Sequence, residues 1–202
     1  MSITIITDGS ADNRTGSGGW CAIVRTPTTL VELTGWATGT TSNRMEVTAA
    51  LEGLRAVKTP SDVTVVTDSS YLLKTMRHKW YENWIEQEKF GAEPRPNMDL
   101  WYALIGLAHF HNITWVKIKG HSGDYWNERA DKLADMARRE KLSLRHDIDD
   151  WTAGKRCEEM SPSDRQCKLH SGHSGNCYFT NGKANGVEIY GVERTEDQEA
   201  VH

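Results

Sequence analysis

The chain has 202 residues and a formal net charge of −4, a length that allows one ordinary domain and a small additional segment. It has no apolar run of the roughly 18 residues that span a membrane and no secretion signal at its start, so we expect a cytoplasmic protein without membrane contact. Basic and acidic residues balance up to residue 147, so the excess acid lies in the C-terminal tail.

The first segment, residues 3–10, predicts a strand that ends on a carboxylate. Alternating isoleucine and threonine favour the extended backbone, and Asp8 is followed directly by glycine. A rigid strand end can hold Asp8 towards a cleft. Asp-Gly is also an ordinary turn signal, so this segment alone leaves the role of Asp8 open.

The middle of the chain predicts two more strands and then a change of period. A glycine-rich turn precedes the second strand, and from Asn43 the apolar residues recur at helical spacing until the chain reaches Pro60. The next strand again ends on a carboxylate, Asp68. The expected elements are strands over 20–25, 30–36 and 63–67 and helices over 43–57 and from 69.

Residues 77–97, here called the handle, carry several aromatic residues among mixed charges. Trp80 and Trp84 are typical of a surface that stacks on a base or sugar, although each can equally cap a small core. The elements expected after the handle are a helix over 98–111, a strand over 113–118, a flexible loop over 119–123 and a helix over 125–140.

This order of elements predicts an α/β fold with a mixed five-stranded sheet flanked by helices. Three antiparallel strands come first, and two strands reached through helices follow, so strands one, four and five should be parallel. Asp8 and Asp68 should then be neighbours at the carboxyl ends of two strands, which is where open α/β sheets bind ligands.

Glu46 and Asp131 lie in helices that can lean over the same sheet edge. Four acids in one cleft would resist ionisation unless cations lay between them, and oxygen ligands favour Mg²⁺ or Mn²⁺. Each acid also has a structural alternative. Glu46 can form a capping box with Asn43, Asp68 can cap its helix, and Asp131 can pair with neighbouring charges.

Five segments in order, residues 7–10, 42–46, 67–71, 119–123 and 127–134, resemble the successive motifs of ribonuclease H type 1. The resemblance covers residues 1 to about 142. It implies the ribonuclease H fold and an endonuclease that hydrolyses the RNA strand of RNA–DNA hybrids, leaving 3′-hydroxyl and 5′-phosphate ends. It also implies a monomer that binds two Mg²⁺ ions, for which Mn²⁺ can substitute.

The resemblance assigns roles to individual residues. It implies that Asp8, Glu46, Asp68 and Asp131 are the catalytic metal ligands and that His121 assists proton transfer or product release. Recognition of the ribose 2′-hydroxyl would fall to residues near the metal site. The expected substrate-binding residues are Gly9, Ser10, Asn43, Ser70 and Trp80.

The handle departs from the family pattern, because over residues 79–95 it has four glutamates, Glu82, Glu86, Glu88 and Glu93, against the three basic residues Lys79, Lys89 and Arg95. Fewer phosphate contacts predict weaker hybrid binding and a shallower salt dependence. Ser42 and Ser70 stand where some family members carry an amide side chain, which leaves minor-groove contacts at those positions open.

The C-terminal tail contains three clustered cysteines with histidines beside them, which indicates metal ligands more than disulfides in a cytosolic chain. We expect a catalytic domain over 1–142, a linker over 143–155, a zinc-binding module over 156–192 and a disordered end over 193–202. The module would contact nucleic acid or a protein. The expected structural Zn²⁺ ligands are Cys157, Cys167, His173 and Cys177, with His170 as the competing imidazole.

Two other functions are alternatives to a hybrid-specific nuclease. A proofreading-type exonuclease usually places two acids one residue apart on the first strand, and Ser10 occupies that place here. A non-catalytic nucleic-acid or protein binding module would keep the fold and use the zinc tail for partners. Loss of one acid would be its mark, and none of the four is missing.

Overall fold

The computed structural model describes residues 3–148, which form a mixed sheet covered by helices on both faces. Among these residues, no helix is long and apolar enough to cross a membrane. The elements in chain order are β1 (Ile3–Asp12), β2 (Ser17–Arg25), β3 (Leu30–Ala37), α1 (Ser42–Ala56), β4 (Asp62–Thr67), α2 (Ser70–Arg77), α3 (Trp80–Lys89), α4 (Met98–Phe110), β5 (Asn112–Lys117), α5 (Tyr125–Glu140) and β6 (Leu144–Ile148).

The sheet has the strand order β5-β4-β1-β2-β3-β6. β1, β2 and β3 are antiparallel neighbours, while β4 pairs parallel with β1 and with β5. These pairings confirm the predicted mixed sheet and the parallel arrangement of strands one, four and five. β1 continues past Asp8 to Asp12, so the predicted strand end at Asp8 is wrong, and β4 ends beside the middle of β1.

The sheet has a sixth strand, so the predicted count of five and the predicted linker over 143–155 are wrong at Leu144–Ile148. This segment pairs antiparallel with β3, and its side chains alternate between the core and solvent, with Ile148 buried. The charged residues Arg145 and Asp147 occupy the outward positions, which made a short edge strand look like a linker. Such short, charged edges are a common way to protect a sheet from further pairing.

The core lies on both faces of the sheet. On one face α1 packs Val47, Leu51 and Leu54 against β1 and β2, and on the other α5 packs Ala130 and Ala134 against the sheet. Fully burying one leucine side chain contributes roughly 1.5–3 kcal/mol, so these helices are held mainly by apolar contact.

Two glycines determine how closely these helices approach the strands. A Cβ atom at Gly9 would overlap the backbone of Glu46 in α1, and one at Gly19 would overlap the backbone of Ala134 in α5. Because neither glycine has a side chain, both helices lie directly on the sheet. This close packing places Glu46 and Asp131 near Asp8 of β1.

The aromatic residues of the handle divide between core and surface. Trp84 contacts the fully buried Trp101 edge to face, with ring centroids 6.0 Å apart, so for this residue the core alternative is confirmed. Trp80 is 41% exposed and stacks on His78. Phe90, at the end of α3, is 84% exposed.

A buried ion pair ties α5 to β3. Arg129 donates from Nε and Nη2 to the two carboxylate oxygens of Glu32, the second bond being 2.7 Å long. Burial alone would raise the pKa of Glu32, but Arg129 outweighs it and lowers that pKa to about 2. His146 of β6 places its Nδ1 3.5 Å from the same carboxylate. Since Arg129 precedes Asp131 by two residues, this pair also fixes the helix that carries Asp131.

We predict that Glu32→Leu lowers the free energy of unfolding by about 3–5 kcal/mol, because it removes one member of a buried ion pair and leaves the charge of the other in the core. The double variant Glu32→Leu with Arg129→Leu should lose much less stability, since no buried charge remains. Urea unfolding measures both values. Arg55→Ala, which removes the exposed pair with Glu52, is the control and should cost no more than about 1 kcal/mol. Equal losses for Glu32→Leu and Arg55→Ala would contradict the prediction.

Candidate active site

Three carboxylates meet where β4 ends beside the middle of β1. Asp8 lies in β1, Asp68 follows the last residue of β4, and the parallel register pairs Thr7 with Thr67. Glu46, in the first turns of α1, completes the group, and oxygen atoms of the three carboxylates all lie within 4.8 Å of one another. The structure therefore brings together three of the four predicted acids in one small cluster.

The capping alternatives for two of these acids are wrong. The N-cap of α1 is Thr41, whose hydroxyl accepts from the Arg44 amide at 3.3 Å, so Asn43 and Glu46 form no capping box. The N-cap of α2 is Ser69, whose hydroxyl accepts from the Leu72 amide at 3.3 Å. Because neighbouring residues satisfy the helix ends, the carboxylates of Glu46 and Asp68 are left to face the cluster.

Asp131, in α5, lies beside the cluster. Its charge helps to raise the pKa of both Asp8 and Glu46. Asp131 Oδ2 also lies 4.0 Å from His121 Nδ1. Among the described residues, this contact with His121 is the form in which the predicted alternative, a pair with a neighbouring group, is present.

His121 stands at the rim of the cluster on the loop between β5 and α5. Its side chain is 82% exposed and its backbone has a φ of 50°, a left-handed conformation that is uncommon outside glycine. Gly120 packs so closely on Asp68 that a Cβ there would lie 2.5 Å from Asp68 Oδ2. The loop therefore contacts one acid through Gly120 and another through His121.

Crowding changes the acidity of the two deepest carboxyl groups. Burial, followed by the charges of Asp68 and Asp131, raises the pKa of Asp8 to about 7. Burial and the charges of Asp8, Asp68 and Asp131 raise the pKa of Glu46 well above its ordinary value. Full ionisation of the cluster at neutral pH consequently requires positive charge among the carboxylates.

The donor set fits a hard divalent cation. All the atoms that face one another are carboxylate oxygens, which Mg²⁺ and Mn²⁺ prefer, and Oε2 of Glu46 is buried without a hydrogen-bond partner among the described residues. A buried carboxylate oxygen without a partner is costly. A cation bound by Asp8, Glu46 and Asp68 would remove that cost.

The predicted substrate-binding residues lie at different places relative to the cluster. Gly9 and Ser10 follow Asp8 in β1, and Ser10 Oγ accepts from Arg138 Nε at 3.2 Å. Asn43 is exposed and lines a surface cavity of about 460 Å³ together with Thr41, Arg44 and Asn97. Trp80 lies on α3, outside the cluster of carboxylates.

Ser70, at the start of α2, accepts a short hydrogen bond from Nζ of Lys117. Lys117 was not among the site residues predicted from the sequence. It is the last residue of β5, and the one sequence feature that could have indicated a role is its position at the end of a strand that leads into residues 119–123. The predicted zinc ligands Cys157, Cys167, His173 and Cys177 lie outside the described residues.

Comparisons with known proteins identify relatives of this chain. The sequence model of the RNase H family matches residues 1–139. Ribonuclease H of Chlorobaculum parvum is 39% identical over 141 residues, covering 69% of this chain and 97% of the relative. Ribonuclease H of Hydrogenovibrio crunogenus is 44% identical over 137 residues, covering 67% and 94%.

Solved structures show the same fold. The crystal structure of LC9-RNase H1, described as a type 1 RNase H with the type 2 active-site motif, matches with a TM-score of 0.61 and 25% identity over 70% of this chain and 74% of that chain. An N-terminal RNase H domain from Mycobacterium tuberculosis, fused to maltose-binding protein, has a TM-score of 0.56 at 23% identity, over 69% and 95%.

We predict that Asp8→Asn stabilises the metal-free protein at high pH. The raised pKa of Asp8 means that the folded state keeps a proton that the unfolded state releases, so the stability of the unsubstituted chain falls as pH rises from about 4 to about 7. Asparagine has no such titration. At pH 8 the free energy of unfolding of Asp8→Asn should exceed that of the unsubstituted chain by up to about 4 kcal/mol. At pH 4 the two proteins should have similar free energies of unfolding. Urea unfolding in EDTA measures this difference, and an equal difference at both pH values would contradict the assigned titration.

Proposed function

The chain belongs to the ribonuclease H family and is an enzyme of that family; we propose that it hydrolyses the RNA strand of RNA–DNA hybrids as an endonuclease, leaving 3′-hydroxyl and 5′-phosphate ends. The observation that carries this proposal is the crowded group of Asp8, Glu46 and Asp68, with the charge of Asp131 acting on Asp8. All four carboxylates come from one chain, which supports action as a monomer.

We also propose that these carboxylates hold two Mg²⁺ ions, for which Mn²⁺ can substitute. When bound, such ions activate water and stabilise the negative charge that develops on the phosphate. The protein supplies a rigid frame, because Asp8 lies within a strand and Glu46 within a helix. The raised pKa values of Asp8 and Glu46 support this proposal, because a bound cation would stabilise the ionised form of both carboxylates.

His121 is suited to proton transfer at the edge of the site. Its imidazole is exposed, so water and substrate can reach it, and Nδ1 points to Asp131 at 4.0 Å. A neutral imidazole has one ring nitrogen that accepts a proton and one that donates. We propose that His121 exchanges a proton with water or with the leaving 3′-oxygen and that its position on a loop assists product release.

Recognition of RNA requires contact with the ribose 2′-hydroxyl. We propose that the backbone around Gly9 and Ser10, together with the side chains of Asn43 and Glu46, makes this contact, with Ser70 and Trp80 binding further along the hybrid. The position of Gly9 and Ser10 beside Asp8 and the exposure of Asn43 and Trp80 support the assignment.

The handle should contribute little electrostatic attraction. Glu82 and Glu86 are exposed on α3, and Lys79 is already paired with Glu82 at 3.4 Å. Phosphate contacts account for most of the salt dependence of nucleic-acid binding. We therefore propose that hybrid affinity depends more on groups near the carboxylate cluster than on the handle.

We predict that the purified chain cuts a labelled RNA–DNA hybrid at internal positions of the RNA strand in the presence of Mg²⁺. Asp68→Asn should reduce cleavage to the background, because it removes a charged ligand from the centre of the cluster, and should leave hybrid binding measurable. Electrophoresis of end-labelled strands resolves the products and their termini. Duplex DNA and single-stranded RNA are the control substrates.

Hybrid binding without cleavage in either Mg²⁺ or Mn²⁺ would contradict the proposed nuclease. That outcome would favour the non-catalytic binding module. Cleavage that survives in Asp68→Asn would contradict the role of the carboxylate cluster.

For the tail, we propose that residues 156–192 form a separate module with one structural Zn²⁺ bound by Cys157, Cys167, His173 and Cys177. The support is the sequence pattern, since three cysteines and one histidine are a common tetrahedral zinc set. The module would contact nucleic acid or a protein, while residues 1–142 carry the catalysis.

We predict about one zinc ion per natively purified chain, measured by elemental analysis. His173→Ala should lose this zinc, because a tetrahedral site needs all four ligands, whereas His170→Ala, the matched control, should retain it. Hybrid cleavage should stay the same in both variants. A chain purified without bound zinc would contradict the proposal, and retention by His173→Ala with loss by His170→Ala would reassign the histidine ligand.

A further inference from the structure

A basic surface adjoins the carboxylate cluster and has no role in the proposed metal chemistry. Lys117 and Lys119 line an open cavity of about 490 Å³ together with Asp68, Ile118 and Gly120. Both lysines are exposed. We call Lys117, Lys119 and Ser70 the lysine subsite.

The fold holds the lysine subsite at a fixed place beside Asp68. The parallel register pairs Lys117 of β5 with Thr67 of β4, and Thr67 in turn with Thr7 of β1. Lys117 therefore lies in the row of residues directly before Asp8 and Asp68. The close contact of Gly120 with Asp68 keeps the following segment, which contains Lys119, against the same acid.

The polar groups of the subsite are left ready to donate. Nζ of Lys117 donates one hydrogen to Ser70 Oγ and keeps two others, and Ser70 can still donate its hydroxyl hydrogen. In the part of the chain that the structure describes, neither Lys117 nor Lys119 forms an ion pair with a carboxylate within 4.0 Å. Arg44, by contrast, is paired with Asp99.

A set of donors and two uncompensated positive charges suits an anion. A lysine ammonium binds phosphate as a compact point charge, without the planar geometry that arginine requires. On the proposed function, the strand that is cut passes Asp68, so the anion nearest to Lys117 is the backbone of that strand.

We propose that the lysine subsite binds a phosphate of the RNA strand next to the one that is cut, with Lys117 as its principal group. This inference rests on the proposed function. In it, Lys117 and Lys119 provide positive charge beside the cluster, and Ser70 orients the Lys117 ammonium group.

The first test compares Lys117→Ala, Lys117→Arg and Lys58→Ala. Lys58 is an exposed lysine that follows α1 at the opposite end of β4, so its replacement removes the same charge far from the cluster. Hybrid binding is measured by fluorescence anisotropy over a salt series in EDTA, and cleavage kinetics in Mg²⁺. Thermal unfolding confirms that each variant is folded.

Lys117→Ala should raise Kd and KM by about 5- to 10-fold, leave kcat within about twofold and reduce the slope of log Kd against log salt by about one. Lys117→Arg should restore most of the affinity, and Lys58→Ala should behave as the unsubstituted chain. If Lys117→Ala matches Lys58→Ala in slope and KM, the subsite proposal is wrong. If the unsubstituted chain binds hybrid but does not cut it, the proposed function fails, and the binding series still tests the subsite.

The second test locates the phosphate. Hybrids that carry one uncharged methylphosphonate linkage, placed in turn at each position of either strand, are bound to the unsubstituted chain and to Lys117→Ala. One position in the RNA strand, adjacent to the cut, should weaken binding of the unsubstituted chain and have little further effect on Lys117→Ala. Equal sensitivity of both proteins at every RNA position, or coupling only to a DNA linkage, would overturn the assignment.

Discussion

Mutual repulsion among the carboxylates around Asp8, in the middle of β1, governs how the other parts of the structure are arranged. The parallel pairing of β1 with β4 forces Asp8 and Asp68 together, and the contact of α1 with Gly9 adds Glu46. Burial then makes ionisation unfavourable, as the raised pKa of Asp8 shows. A fold that keeps such groups together in the absence of cations has to offset their repulsion elsewhere.

The compensation comes from the parts of the molecule that hold the helices on the sheet. Apolar residues of α1 and α5 bury against opposite faces, and the backbone approaches closely at Gly9 and Gly19. The bidentate pair of Glu32 and Arg129 adds an anchor for α5 only two residues from Asp131. Interactions outside the cluster therefore determine the positions of its charged groups.

The distribution of charge around the cluster connects the scaffold to substrate binding. The handle presents exposed glutamates, while Lys117 and Lys119 lie directly beside Asp68 without carboxylate partners among the described residues. Screening by salt weakens distant exposed charges more than those near a buried, low-dielectric site. Positive charge close to the cluster can hold an anionic strand and also reduce the repulsion among the acids.

The order of the main elements and their chemistry follow from local patterns in the sequence. Helical periodicity predicted α5 at its observed bounds, and strand patterns placed Asp8 and Asp68 on neighbouring parallel strands, because these signals depend on residues close together in the chain. The helix caps Thr41 and Ser69, the pairing of β6 with β3 and the contact of Lys117 with Ser70 are visible only in the folded structure. The β6 and Lys117 contacts join residues far apart in sequence, and the choice of caps depended on which of several adjacent polar side chains faced the helix end. A local sequence pattern cannot predict these contacts, because the packing of the helices on the sheet determines them.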